Sequence, residues 1–238
     1  TIKPRAGHKL VRVSSYDNPF LPADELRKLE TVYPIGTLGY RRWVLGEAVA
    51  MQGALWPEFD IAKHTFAPHQ APTAYIGANG LDLGHRPDPY AFVVARVDAQ
   101  RRIWIIAEHQ QAELSALQQA PILKAMYESG EIFSDHDASE RATLRELGIH
   151  TTLAQKSIPS GVEAVRQAVI EGRLMISTDC PLTIAAVQNS TWADNPSGGR
   201  EKPRHDQYSH LASAVRYLVV GVHGLVEGVT PRARNVVY

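Results

Sequence analysis

Apolar and polar residues are grouped in regular blocks along the second part of the chain. Three apolar runs, rich in β-branched and aromatic residues, span Ala74–Asp82, Tyr90–Val97 and Arg102–Glu108. Runs of this length that are bounded by turn residues are typical of β-strands. The last two are joined by the short connection "VDAQRR", which predicts antiparallel pairing. We therefore expect a sheet that begins with three consecutive antiparallel strands.

After Glu108 the pattern becomes an alternation of helical and strand-like segments. The predicted helices are Ala112–Ser129, Ala138–Gly148, Gly161–Glu171, Pro181–Asn189 and Asp206–Gly221. The predicted strands between them are "EIFSDHD", "HTTLAQK" and "RLMIST". This order predicts an α/β fold with a mixed β-sheet, three antiparallel strands and then parallel αβ units, flanked by helices. It is the order of the ribonuclease H-like fold, which alone does not give a function.

The first 70 residues differ from the rest of the chain. They contain the helix-start punctuation of "DNPFLPADEL", a short amphipathic stripe and the connector "KHTFAPHQAP", which is rich in proline and histidine. We interpret residues 1–70 as a linker or arm region and residues 71–238 as the regular α/β domain.

Composition sets wide limits on function. The 238 residues suit one large domain with an attached segment, and the balance of 25 basic and 25 acidic residues gives no sign of a polyanionic partner. Local basic patches can still bind one. The single cysteine excludes an internal disulfide and fits a reducing compartment. Residues 217–222 form the longest apolar run near the C-terminus, far too short to span a bilayer, so no membrane association is expected.

Acidic residues lie at the ends of two predicted strands. Asp82 ends the first strand, and Asp135 and Asp137 end the fourth, just before a helix. Adjacent strand ends can bring these carboxylates together, where they repel one another unless a cation or a proton neutralises them. Oxygen ligands of this kind suit Mg²⁺ or Mn²⁺ better than Zn²⁺. The alternatives are a turn role for Asp82 and a helix N-cap role for Asp135 or Asp137.

The last predicted helix carries a further polar set. Asp206, His210 and Ser213 are spaced to share one helix face beside an apolar stripe that packs on the sheet. The polar face of such a helix would point into a site at the sheet edge. The alternative is that Asp206 only caps the helix.

Four stretches resemble one family, the C-terminal nuclease domain of the large terminase subunit of tailed bacteriophages. "YDNPFL" with "GYRRWVLGEAV" resembles the segment that joins a motor ATPase to the nuclease. "GLDLGHRPDPYAFVVARVD", "SDHDASERATLRELGI" and "HDQYSHLASAVRYL" resemble the three acidic motifs of the nuclease itself. The likeness covers nearly the whole chain, and each motif is short, but their order is specific.

The resemblance implies roles for individual residues. Asp82 matches the first metal ligand, Asp137 the second with Asp135 as the alternative, and Asp206 with His210 the terminal motif. One position departs from the family pattern, because Ser213 stands where many relatives have an aspartate. Either Asp206 supplies the third carboxylate or the metal site is weakened.

The resemblance also implies the chemistry and the partners. Two Mg²⁺ or Mn²⁺ ions would promote phosphodiester hydrolysis, with His210 orienting water or neutralising the leaving group. Lys156, Arg200, Lys202 and Arg204 would contact the phosphates of double-stranded DNA without reading its sequence. The expected partners are the phage portal, the small terminase subunit and the ATPase domain of the same subunit. The expected place of action is the host cytoplasm, on the procapsid.

Two other functions stay open at the level of sequence. The same fold serves resolvases and transposase-like nucleases, against which the first 70 residues argue. A non-catalytic DNA-binding or motor-docking module would explain Ser213 as the mark of a degraded metal site.

Overall fold

A seven-stranded mixed sheet forms the centre of the computed structural model. The structure describes residues 13–32, 35, 40, 44–46, 53–84, 87–154, 157–193 and 202–226. Within them the strands are β1 (Thr65–Phe66), β2 (Ile76–Asp82), β3 (Tyr90–Val97), β4 (Ile103–Gln111), β5 (Glu131–Ser134), β6 (Thr152–Leu153) and β7 (Leu174–Ser177). The helices are α1 (Ala23–Val32), α2 (Ile61–His64), α3 (Ala116–Met126), α4 (Ala138–Glu146), α5 (Ile158–Ile170), α6 (Pro181–Asn189) and α7 (Ser209–Val226).

The strand order in the sheet is β1-β7-β4-β3-β2-β5-β6. β2, β3 and β4 pair antiparallel, as their short connections predicted, while β5 and β6 extend the sheet parallel on the β2 side and β7 and β1 on the β4 side. The predicted fold class, a ribonuclease H-like mixed sheet flanked by helices, is confirmed. The central strands β2 and β3 are almost wholly buried, as expected for strands covered on both faces.

Helix α7 covers one face of the sheet and approaches β2 very closely. A Cβ atom placed on Gly80 would lie 2.0 Å from the backbone oxygen of Ala214, and one placed on Gly221 would lie 2.2 Å from the ring of Phe133. These contacts require glycine, because a Cβ atom would overlap the helix backbone at Gly80 and the Phe133 ring at Gly221. The opposite face is covered by α3 and α4 through the buried residues Leu81, Leu83, Tyr90, Phe92, Val94, Ala116, Ala120, Leu123 and Leu144.

Three helix starts differ from their prediction, and the first case is α5, which begins at Ile158 rather than Gly161. Helix α3 begins at Ala116 rather than Ala112, because the Ser115 N–H donates to Gln118 Oε1 at 3.0 Å and so sets the N-terminus there. Helix α7 begins at Ser209 rather than Asp206, because Asp206 lies in a turn and accepts the N–H of Tyr208 at 2.9 Å. The prediction that Asp206 shares a helix face with His210 was therefore wrong.

The chain divides into two compact units, residues 1–52 and 53–238. In the first, α1 carries two acidic residues in its first turn, and the Tyr16 hydroxyl hydrogen-bonds Glu30 and Tyr40. In the second, β1 pairs parallel with β7, so residues 65–66 belong to the sheet and precede the boundary predicted at residue 70. The linker role of residues 1–70 stays a prediction. Across the described part of the chain, every helix is too short or too polar to cross a membrane.

Candidate active site

Asp82 and Asp135 come together at the C-terminal ends of two neighbouring parallel strands. β2 and β5 are in register up to the pair Leu81–Ser134, and each aspartate is the next residue along its strand direction. Asp82 lies two positions after Gly80 and therefore faces α7, like the glycine. Parallel pairing of two buried strands thus places two carboxylates side by side under one helix.

The charge of Asp82 acts on the ionisation of Asp135. Burial raises the pKa of Asp82, against the opposing effects of His210 and Arg216. Burial and the charge of Asp82 raise the pKa of Asp135 to about 6. Burial, followed by the charges of Asp82 and Asp135, also raises the pKa of Tyr217 on α7 to about 12. The site is an electronegative, half-enclosed space that favours a bound cation or a proton.

His210 on α7 holds Asp82 in place. Its Nδ1 lies 2.8 Å from Asp82 Oδ2, and the two side chains are only 10% and 12% exposed. Burial alone lowers the pKa of His210, but the hydrogen bond and charge of Asp82, with the charge of Asp88, together raise it. This contact brings the last helix to the end of β2, while the predicted catalytic role of His210 stays a prediction.

The two candidate aspartates after β5 have different environments. Asp137 is the N-cap of α4, and its Oδ1 accepts the N–H of Glu140 at 2.9 Å. Asp135 precedes it and is the carboxylate coupled to Asp82. The geometry therefore favours Asp135, the alternative of the sequence-based assignment, as the neighbour of Asp82, while the ligand roles of Asp137 and Asp135 stay predictions.

The other two polar residues predicted for the site are Asp206 and Ser213. Asp206 Oδ1 is used in the turn before α7, and its backbone oxygen accepts from the Ser209 hydroxyl at 2.7 Å. Ser213 lies on α7 one turn after His210 and is partly exposed. The role of Asp206 as a metal ligand stays a prediction.

The predicted DNA-binding residues are only partly described. Lys156 and Arg200 lie outside the described residues, whereas Lys202 and Arg204 are exposed in the segment that leads to α7. That segment is held by backbone bonds from Ala193 to Lys202 and from Arg204 to Thr191. It places two cations within a few residues of His210.

Glu108 within β4 and Cys180 after β7 have structural roles. Both carboxylate oxygens of Glu108 accept backbone N–H groups of α6, from Leu182 at 2.9 Å and from Thr183 at 2.5 Å. Cys180 is buried, and burial raises the pKa of its thiol to about 12, so it remains a neutral thiol.

The sequence analysis missed two side chains beside the site. Asp88, in the turn between β2 and β3, lies 3.3 Å from His205 Nε2 and 3.8 Å from His210 Nε2. The only sequence signal was the pair His205 and His210, five residues apart in one segment, together with an aspartate between two prolines.

Comparison with known proteins settles the family. Residues 79–220 match the family model described as the terminase RNaseH-like domain. This match runs from β2 to α7 and includes both carboxylates. The chain belongs to this family. It is 32% identical to the large terminase subunit of Escherichia phage T5 over 70% of the chain and 38% of that protein. It is 26% identical to the large terminase subunit of Bacillus phage SPP1 over 84% of the chain and 49% of that protein.

Solved structures of the family share the fold. The large terminase of a thermophilic bacteriophage superposes with a TM-score of 0.68 at 20% identity, over 87% of this chain and 54% of that one. The P22 large terminase nuclease domain gives 0.61 at 16% identity, over 73% and 95% of the two chains. The SPP1 nuclease domain with bound Mn gives 0.51 at 24% identity, over 65% and 93%. The chain spans about half or less of the curated relatives that it matches.

Proposed function

We propose that this chain is the nuclease part of a large terminase subunit, a metal-dependent endonuclease that cuts double-stranded DNA during phage genome packaging. The observation that carries the proposal is the pair Asp82 and Asp135 at the ends of β2 and β5. Burial and the neighbouring charge raise the pKa of Asp135 to about 6, so the pair is poorly compensated by protein groups alone. A divalent cation is the natural counter-charge for two close carboxylates.

The donor set fits Mg²⁺ or Mn²⁺. Asp82 and Asp135 offer hard carboxylate oxygens from two rigid strands, and the side chains of Asp137 and Asp206 stand in the adjoining segments as further candidate ligands. Two ions held there would supply an activated water and would neutralise charge on the phosphodiester and the leaving oxygen. Support comes from relatives: the G20c large terminase nuclease is described with bound magnesium and the SPP1 nuclease domain with bound Mn.

His210 acts as the positioning residue for Asp82. Its Nδ1, 2.8 Å from Asp82 Oδ2, restrains the orientation of the carboxylate. A histidine in this role fixes the orientation of a metal-ligating side chain without contacting the substrate. Arg216 on the same helix is buried and lowers the pKa of Asp82 through its charge, so it favours the ionised, ligand-competent carboxylate.

Lys202 and Arg204 provide phosphate contacts beside the site, and Lys156 and Arg200 are proposed for the same role. Lys202 and Arg204 are exposed and immediately precede His205 in the chain. Contacts to phosphate carry affinity without sequence preference, which suits an enzyme that must cut DNA of any sequence.

The remaining partners follow from the family. The large terminase of the thermophilic bacteriophage is also described in complex with ATP-gamma-S, and this chain covers 54% of that protein. We include in the proposal that the domain works with an ATPase domain of the same subunit, with the small terminase subunit and the portal. Its place of action would be the procapsid in the host cytoplasm, with residues 1–70 as the connection to the motor. The resolvase alternative has no specific observation in its favour.

A plasmid assay tests the proposal. Supercoiled plasmid is incubated with the protein in Mg²⁺, in Mn²⁺ and in EDTA, and nicked and linear products are measured on gels. We expect metal-dependent cleavage that is lost in Asp82→Asn and kept in Asp179→Asn, which neutralises an exposed aspartate just after β7. Intact plasmid at high protein concentration with DNA binding retained would show instead a non-catalytic DNA-binding module, the alternative that Ser213 raised.

A further inference from the structure

Three polar side chains converge at the rim of the site, apart from the carboxylate pair. They are Asp88 from the turn between β2 and β3, His205 from the segment before α7, and His210 from the first turn of α7. One ligand atom from each lies within 4.8 Å of the others. Asp88 Oδ1 is central, at 3.3 Å from His205 Nε2 and 3.8 Å from His210 Nε2.

Each imidazole is oriented by a partner on its other nitrogen. His210 Nδ1 is 2.8 Å from Asp82 Oδ2, and His205 Nδ1 is 3.5 Å from the Ser209 hydroxyl. A histidine whose Nδ1–H is donated to an oxygen presents an unprotonated Nε2 when it is neutral. Carboxylate–histidine pairs of this kind are the usual support of metal-binding imidazoles. In the neutral tautomer that carries its proton on Nδ1, both imidazoles direct an unprotonated Nε2 toward the same carboxylate oxygen.

The spacing is close to that of a loaded metal site. In a tetrahedral site two ligands of one ion, each at about 2.1 Å, are about 3.4 Å apart. The 3.3 Å distance from His205 Nε2 to Asp88 Oδ1 already matches this spacing, the 3.8 Å distance from His210 Nε2 is slightly longer, and the 4.8 Å bound on the whole group requires at most about 1.4 Å of closure. Access is open, because the side chains of His205 and Asp88 are 68% and 39% exposed while His210 forms the buried floor.

We propose that Asp88, His205 and His210 bind one divalent transition-metal ion at the rim of the site, beside the carboxylate pair. Two imidazoles and one carboxylate select ions such as Zn²⁺ or Cu²⁺ over Mg²⁺, which prefers oxygen ligands alone. Three protein ligands leave a coordination position open to water or to a phosphate oxygen. Because His210 contacts Asp82, an ion at the rim would also fix the carboxylate that faces the cleavage site. The inference needs no cleavage and so stands apart from the proposed function.

Calorimetry with Zn²⁺ alone tests this site on the full chain without an affinity tag, in buffer that already contains saturating Mg²⁺. We expect one Zn²⁺ site, weakened at least tenfold in Asp88→Asn and in His205→Gln. The matched controls are Asp179→Asn and His69→Gln, which alter an exposed aspartate and an exposed histidine elsewhere. Neither should change the affinity. The neutral, buried thiol of Cys180 does not compete for the ion. Thermal denaturation of each variant confirms that it is folded.

A second measurement separates the rim from the carboxylate pair. Asp135→Asn removes one member of the pair and leaves all three rim ligands, so we expect its Zn²⁺ affinity to stay within about twofold of the wild type. Pulsed electron paramagnetic resonance with Cu²⁺, which imidazole ligands suit, should show nitrogen couplings from imidazole that diminish in His205→Gln. If Asp135→Asn loses the ion while Asp88→Asn and His205→Gln keep it, the rim site is refuted and the proposed nuclease site stands. If no variant changes the affinity, or the wild type binds no Zn²⁺, the rim site is also refuted.

Discussion

His210 Nδ1 lies 2.8 Å from Asp82 Oδ2 and joins the first turn of α7 to the last residue of β2. The two residues are 128 positions apart in the chain, so this one bond connects the first and the last motif of the domain. Because both side chains are nearly buried, water cannot readily replace either hydrogen-bond partner, and breaking the bond costs free energy. The bond therefore sets the geometry of the carboxylate on which cleavage is proposed to depend.

Replacing His210 should affect both stability and catalysis. In His210→Gln the side-chain amide lies beyond the position of Nδ1 and is not held by a ring, so Asp82 is left buried without its partner. We expect a loss of about 1–3 kcal/mol in the free energy of unfolding. Cleavage should fall by about 10–100-fold, the usual effect of removing a group that orients a ligand. Urea denaturation and the plasmid assay measure the two effects. The control is His69→Gln, and equal behaviour of the two variants would contradict the positioning role.

Asparagine variants distinguish the two aspartates after β5. Asp137→Asn keeps a good N-cap for α4 and should retain most of the cleavage activity, whereas Asp135→Asn should lose at least about 100-fold. Asp137→Ala removes the cap and should lower the free energy of unfolding by about 1 kcal/mol. The decisive measurement is plasmid cleavage at equal protein concentration. An inactive Asp137→Asn beside an active Asp135→Asn would restore the order predicted from sequence.

The pKa of Asp135 predicts an unusual dependence of stability on pH. Its folded-state pKa, raised to about 6, exceeds the ordinary value of 3.8, so the folded chain binds the proton more tightly than the unfolded chain. Stability from this group is therefore present at pH 4 and is lost as the pH rises toward 6 and above. In EDTA, Asp135→Asn should be more stable than the wild type at pH 8, by on the order of 1 kcal/mol after allowance for solvent screening. The difference should vanish near pH 4.

Added Mg²⁺ reverses this comparison. The ion neutralises the carboxylate pair, so the wild type should gain stability at pH 8 and Asp135→Asn should gain little. Thermal denaturation in EDTA and in Mg²⁺ measures both differences, with Asp179→Asn as the charge-matched control. A wild type that is unaffected by Mg²⁺ and by pH between 4 and 8 would contradict the coupling of Asp82 and Asp135.

The close approach of α7 to β2 makes Gly80 sensitive. In Gly80→Ala the new methyl group would lie 2.0 Å from the backbone oxygen of Ala214, so the helix must move away from the strand. We expect a loss of at least about 2 kcal/mol in the free energy of unfolding. The matched control is Gly224→Ala, also on α7, where a Cβ meets nothing within 4 Å. Helix propensity should make that variant neutral or more stable by up to about 1 kcal/mol. Denaturation curves that coincide for the two variants would contradict the packing.

Much of the fold followed from the apolar pattern. The runs that became β2, β3 and β4 are long, buried and separated by short turns, and these features determine antiparallel pairing with little help from the rest of the chain. β1 was missed because it has two residues, Thr65 and Phe66, and gains its place only by pairing with β7. A strand that short has no periodicity of its own to detect.

The strand-end carboxylates of the site were predictable from the sequence, whereas their separate roles and the contacts between loops were not. Asp135 and Asp137 both precede a helix, and the residue preference of an N-cap is the same as that of a metal ligand, so only the three-dimensional contacts separate them. The contact between Asp88 and His205 joins residues 117 positions apart in two loops. No local pattern encodes such a meeting, because it depends on how β2 and α7 are placed by the sheet.

The segment before α7 should carry part of the affinity for DNA. Lys202 and Arg204 are exposed and lie beside the proposed cleavage site, so each should neutralise one phosphate. Binding of a short duplex is measured by fluorescence anisotropy at several salt concentrations. Lys202→Gln and Arg204→Gln should each weaken binding and lower the slope of log K against log salt by about 1. The control is Arg101→Gln, which removes the same charge from the turn between β3 and β4, at the end of β3 away from Tyr90 and the site. Equal slopes for all three variants and the wild type would place the DNA on another surface.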